Sequence, residues 1–93
     1  MAQFQATIHG RVQGVSFRFY TQQRADQLDV TGWVRNLPDG TVEMSAVGPQ
    51  DALDELLKWL HHGPSGARVT RVDVAWIDTP ETYTSFEIRH DGH

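Results

Sequence analysis

The feature that most limits how this chain can fold is a change of hydrophobic period across Gly10–Arg18. Upstream of it, Phe4, Ala6, Ile8, Gly10 and Val12 alternate with Gln3, Gln5, Thr7, His9 and Arg11, the pattern of a half-buried strand with one apolar face. Downstream, Phe17, Tyr20, Thr21, Arg24, Ala25 and Leu28 recur at helical spacing and form a single stripe. A strand must therefore become a helix within a few residues. Gly14 supplies the backbone freedom for that turn, and Ser16 is predicted to be the N-cap of the helix.

The same periodicities extend to the rest of the chain. Val30, Gly32 and Val34 alternate with Thr31, Trp33 and Arg35 up to Leu37-Pro38-Asp39-Gly40, where Pro presets φ and Gly supplies the exit of a hairpin. The return strand carries Val42, Met44, Ala46 and Gly48 on one face. Pro49 and Asp51 open a second helix with Leu53, Leu56, Leu57 and Leu60 on its stripe, and Gly63-Pro64 ends it. Residues 69–77 alternate again, with Thr70, Val72, Val74 and Trp76 expected inward, and a last strand is expected to turn Thr84, Phe86 and Ile88 inward. The tail beyond Arg89 is expected to fray.

The predicted order is β-α-β-β-α-β-β with short connections and no internal linker. That order implies an α+β, ferredoxin-like sandwich, βαββαβ plus a fifth strand, with an antiparallel sheet and two helices on one face. If the first strand runs up, the turn after it, the hairpin at 37–40 and the 63–67 loop share the upper edge. The 78–80 connection lies at the other edge.

Composition narrows the function. With 93 residues and 39% hydrophobic content, residues 1–93 are expected to form one domain. The chain has no cysteine, which removes disulfides and thiolate metal sites and suits a cytoplasmic protein. No stretch resembles a signal peptide or a membrane span. Eight Lys+Arg against twelve Asp+Glu give a net charge of −4, which argues against general nucleic-acid or membrane binding. An anionic ligand would have to be captured locally.

One place invites such capture. First helical turns normally collect Asp and Glu, yet the first helix places Arg18 there and has no acid before Asp26, which costs roughly 0.3–1 kcal/mol unless an anion sits nearby. Successive N–H groups from Gln13 to Arg18 (Gln13, Gly14, Val15, Ser16, Phe17 and Arg18) can form a nest for phosphate oxygens, with the Arg18 fork adding paired bonds. A solvated arginine on a tight turn explains the same residues. Asn36, at the end of the second strand and on the same edge, can orient a water through its carboxamide or simply cap the turn. An amide is no general base at neutral pH, so catalysis here would rest on positioning and charge stabilisation.

His9, His61, His62, His90 and His93 lack ligand spacing, so no metal is expected. Trp33, Trp59 and Trp76 suggest base stacking, but the strand at 41–47 carries neither the aromatics nor the basic neighbours that an RNA-binding sheet needs.

Two ordered segments carry a family resemblance: Ile8-His9-Gly10-Arg11-Val12-Gln13-Gly14-Val15-Ser16-Phe17-Arg18, and Gly32-Trp33-Val34-Arg35-Asn36-Leu37-Pro38-Asp39-Gly40-Thr41-Val42-Glu43 followed by Gly48. They are similar to the two signature segments of acylphosphatases, and the similarity runs from about Phe4 to Arg89. The resemblance implies a cofactor-free and metal-free enzyme that hydrolyses the carboxyl-phosphate anhydride of small-molecule acyl phosphates to a carboxylate and inorganic phosphate. It implies Arg18 and the Gln13–Arg18 backbone as the phosphate site and Asn36 as the holder of the attacking water. Inorganic phosphate is then expected to inhibit competitively. A monomer is expected, with no nucleic-acid or membrane partner. The alternative is a phosphate-binding or regulatory module of the same fold without turnover.

Overall fold

The change of period falls where the sequence places it. In a computed structural model that describes residues 1–90, β1 spans Ala2–Arg11 and α1 spans Phe17–Gln27. They are followed by β2 (Thr31–Asn36), β3 (Val42–Gly48), α2 (Gln50–Leu60), β4 (Arg68–Trp76) and β5 (Phe86–Arg89). Of the tail beyond Arg89 that is expected to fray, residues 91–93 lie outside the described residues.

The strands form one sheet in the order β4-β1-β3-β2-β5. β1 pairs antiparallel with β3 and β4, and β2 pairs antiparallel with β3, as in the expected four-stranded plan. β5 differs, because it lies parallel to β2 and makes the sheet mixed. The reason is topological. β4 ends at the lower edge on one side of the sheet, and the chain crosses to the far side before β5 starts, so β5 runs upward beside an upward β2.

Phe4, Ala6, Ile8 and Val12 of the first segment are buried, and so are Val34 of β2 and Val42, Met44 and Ala46 of β3. Against that face pack Phe17 and Ala25 of α1 and the fully buried Leu53, Leu56 and Leu60 of α2. Each of these leucines contributes about 1.5–3 kcal/mol by leaving water. The buried stripe of α1 is narrower than the sequence pattern, comprising Phe17, Thr21 and Ala25, while Tyr20 is exposed. The Thr21 hydroxyl donates to the Phe17 carbonyl at 2.8 Å, which lets a polar residue occupy the core face.

Three sequence expectations need correction. In β4, Thr70, Val74 and Trp76 are exposed rather than inward. β4 is an edge strand, and a shift of register between His9 and Gly10 leaves Thr70 extra, so that Val69 and Val72 are the residues that touch the core. Thr84 precedes β5 and is exposed, while Phe86 takes the buried position. Gln3, assigned by alternation to the polar face, is fully buried. The crossing segment covers it there, and its amide is satisfied by the Ser45 hydroxyl at 2.8 Å and by Glu81, whose backbone N–H donates to Gln3 Oε1 at 2.7 Å.

The tryptophans are structural. Trp33 is buried on the open face of the sheet beneath the guanidinium groups of Arg35 and Arg89, 5.3 and 4.6 Å from its ring. Trp59 leans on Phe17, and Trp76 meets Phe4 edge-on.

Candidate active site

The loop between β1 and α1 has two left-handed residues, Gly14 at φ 74° and Ser16 at φ 60°, with Val15 between them. Alternation of handedness curls successive N–H groups toward a common point, which is the geometry of an anion nest. Ser16 occupies the N-cap position, but its hydroxyl makes no capping bond, contrary to the sequence expectation. Capping by a side chain needs an extended backbone at that residue, and the left-handed conformation turns the hydroxyl away. The first helical bond runs from the Tyr20 N–H to the Ser16 carbonyl at 3.1 Å. The N–H groups of Gln13 to Phe17 make no backbone hydrogen bond among the described residues, and no acid lies in the first turn.

Two further elements, the β2–β3 hairpin and the 63–67 loop, fix this loop. Gln13 Nε2 donates to the Leu37 and Thr41 carbonyls, both at 2.8 Å, and so joins the loop to the β2–β3 hairpin. The Leu37 N–H donates to the same Thr41 carbonyl at 2.9 Å. The Asp39 carboxylate closes the hairpin tip by accepting from the Thr41 hydroxyl and N–H, bonds that hold its pKa below the ordinary aspartate value. On the other side, the 63–67 loop presses on the turn. A Cβ on Gly66 would stand 3.6 Å from Val15, and one on Gly63 would come within 2.9 Å of the Phe17 ring. The turn, the hairpin and the 63–67 loop thus meet at one edge, as the strand directions predict, while Pro80 and Glu81 sit near Met1 at the other.

Asn36 is the last residue of β2. Its carboxamide oxygen is buried and has no hydrogen-bond partner among the described residues. Arg18 reaches toward the same strand end. Its Nη1 donates to the Arg89 carbonyl at 3.1 Å, and Arg89 stands beside Arg35 in the β2–β5 register, one residue before Asn36. The sequence reading missed two of these supports. The Gln13 side chain was credited only through its backbone, and Arg89 was not singled out, because its place at this edge depends on the parallel pairing of β5.

His9 and His61 have partners outside this cluster. His9 pairs with Asp73 at 2.9 Å on the open face, and His61 Nδ1 contacts the Leu57 carbonyl at 2.8 Å at the end of α2. Among the described residues, no three His, Asp or Glu side chains converge as a metal site would require.

The family model described as acylphosphatase matches residues 4–88. The chain belongs to the acylphosphatase family. An acylphosphatase of Salinibacter ruber is 54% identical over 84 residues, covering 90% of this chain and 88% of the relative. The acylphosphatase crystal structure from Bacillus subtilis superposes with a TM-score of 0.93 at 37% identity, covering 96% of this chain and 99% of that one. The acylphosphatase from Coxiella burnetii gives 0.91 at 40% identity, covering 95% and 92%. Coverage near the full length of each relative makes this chain an acylphosphate-hydrolysing enzyme by family as well as by fold. Among the described residues, no helix is long and apolar enough to cross a membrane.

Proposed function

We propose that the N–H groups of Gln13–Arg18 and the Arg18 guanidinium bind the phosphate of an acyl phosphate while Asn36 positions the water that attacks it. The phosphate lies in the nest, where its equatorial oxygens accept hydrogen bonds from the backbone and from the Arg18 fork. The attacking water donates one hydrogen to the Asn36 carboxamide oxygen, which turns a lone pair toward phosphorus. Water oxygen bonds to phosphorus as the bond from phosphorus to the carboxyl oxygen breaks in line, and the products are a carboxylate and inorganic phosphate. The water's proton passes to a phosphate oxygen. Because the carboxylate is a good leaving group, the protein needs to supply placement and charge stabilisation more than a strong base.

The observation that carries this reading is the buried carboxamide oxygen of Asn36, without a partner among the described residues and set on the strand end to which Gln13 ties the loop. The substrate is a small acyl phosphate, the enzyme acts as a cytoplasmic monomer without cofactor, nucleic acid or membrane, and phosphate inhibits it competitively as a product. The deciding assay is release of phosphate from benzoyl phosphate by the purified, EDTA-treated protein. Turnover supports hydrolysis at this site. Protection by phosphate against thermal unfolding without any turnover would instead make the chain a phosphate-binding module.

A further inference from the structure

The sequence carries a net charge of −4, yet its charges are sorted along the strand direction. α1 runs downward and α2 starts at the lower edge, so Asp26, Asp29, Asp51, Asp54, Asp78 and Glu81 gather there, with Arg24 as the nearby cation. The upper edge holds the opposite sign. β1 ends in Arg11, α1 carries Arg18 in its first turn, β4 begins with Arg68 and β5 ends in Arg89. Among the described residues, the acid at this edge, Asp39, has its carboxylate engaged by Thr41. Acids further along the sheet are matched by Arg35 with Glu43 and by Arg71 with Asp73.

Arg11 and Arg68 stand out within that edge. They are directly opposite each other in the β1–β4 register, both are exposed, and neither side chain meets an acceptor among the described residues. Like charges facing each other across a strand pair destabilise it. Both residues also adjoin the candidate site, since Arg11 lies two residues before Gln13 and Arg68 follows the loop that packs on Val15.

We propose that Arg11 and Arg68 form an anion-collecting pair that steers acyl phosphates into the loop and favours those whose acyl portion carries a second negative charge. The inference rests on the hydrolase reading above. A phosphate in the nest already draws on Arg18, so a distal carboxylate is what the outer pair can address. Unpaired cations at a surface act over roughly a Debye length, about 10 Å at 0.1 M salt, enough to span from the nest to a nearby strand end. Their effect belongs to association and KM rather than to the chemical step.

The test compares benzoyl phosphate with 4-carboxybenzoyl phosphate, which differ by one distal charge. The native protein should prefer the carboxylated substrate in kcat/KM, and the preference should shrink as salt is added. In Arg11→Gln/Arg68→Gln the preference should vanish, with a loss of about 10-fold in kcat/KM for the carboxylated substrate carried by KM and with kcat unchanged. Arg11→Lys/Arg68→Lys should retain the preference, because charge rather than fork geometry is used. Persistence of the preference in the glutamine variant, or equal losses for both substrates, would overturn the proposal. Calorimetric Kd values for benzylphosphonate and its 4-carboxy derivative make the same comparison without turnover, so a failure of the pair and a failure of the hydrolase reading give different results.

Discussion

Gln13 and Thr41 are joined across the upper edge of the sheet by a 2.8 Å hydrogen bond from the Gln13 amide nitrogen to the Thr41 carbonyl, and the same nitrogen also holds the Leu37 carbonyl. The bond is part-buried and connects the loop proposed to bind phosphate with the hairpin that follows Asn36. Gln13→Ala removes the donor from two carbonyls, so a destabilisation of about 1–3 kcal/mol is expected in urea unfolding. Phosphate affinity should fall with it, because the loop loses its anchor; an unchanged affinity would show that the nest holds its shape alone.

Arg18→Lys keeps the charge and loses the planar fork. The guanidinium can serve the Arg89 carbonyl and phosphate oxygens together, which a single ammonium on a flexible stem does poorly. The expected loss in kcat/KM is on the order of 10²-fold, comparable to removing a preorganised donor from an oxyanion site. Steady-state kinetics on benzoyl phosphate measures it, and near-normal turnover would remove Arg18 from the role.

Asn36→Ala separates water placement from phosphate binding. It should lower kcat while inorganic phosphate still inhibits competitively with little change in its inhibition constant. Since the variant deletes a buried acceptor that lacks a partner among the described residues, it should cost little stability or none. A collapse of phosphate affinity would make Asn36 a scaffold residue.

Two glycines differ in a way that stability measurements can resolve. Gly32 has φ 139°, and a Cβ there would stand 1.9 Å from the Ser45 carbonyl oxygen, so Gly32→Ala must separate β2 from β3. Gly14 has φ 74° with nothing within 4 Å of its Cβ position, so Gly14→Ala meets only left-handed strain, about 1–2 kcal/mol. The Gly32 variant should be the less stable by a clear margin in denaturant midpoint, and equal midpoints would contradict the close strand approach.

The acid side of the stability profile should depend on Asp39 and Asp73. Hydrogen bonds from Thr41 hold the Asp39 pKa down, and the hydrogen bond with His9, aided by the Arg71 charge and opposed by desolvation, leaves Asp73 lowered as well. A folded-state pKa below the unfolded value means that the unfolded chain binds more protons in acid. The contribution is therefore complete above about pH 4 and is lost as pH falls through the lowered values. Asp39→Asn should flatten the fall of Tm below pH 4 without altering its slope near neutrality. Activity should show a broad plateau near pH 7, because the proposed mechanism uses no histidine; a sharp bell centred on a histidine pKa would count against the mechanism.

The strand-to-helix turn, the hairpin and both helices were legible because each is a local decision. Period two against period 3.6, Pro38-Asp39-Gly40 and Gly63-Pro64 act over a few residues, and strand directions then place three loops on one edge. The two ordered segments around Arg18 and Asn36 likewise carried the family. What tertiary structure decided involves partners far apart in the chain. β5 lies parallel to β2 because of where a crossing segment arrives, and only that pairing sets the Arg89 carbonyl within reach of Arg18. The same crossing buries Gln3, which alternation had placed on the polar face. Ser16 reads as a cap by residue type, yet the turn forces φ 60° and leaves the helix N–H groups without it. Sequence spacing reports the preferences of a segment, whereas register, the sheet edge at which a strand docks and the sign of a single φ are settled by contacts that form only when distant segments meet.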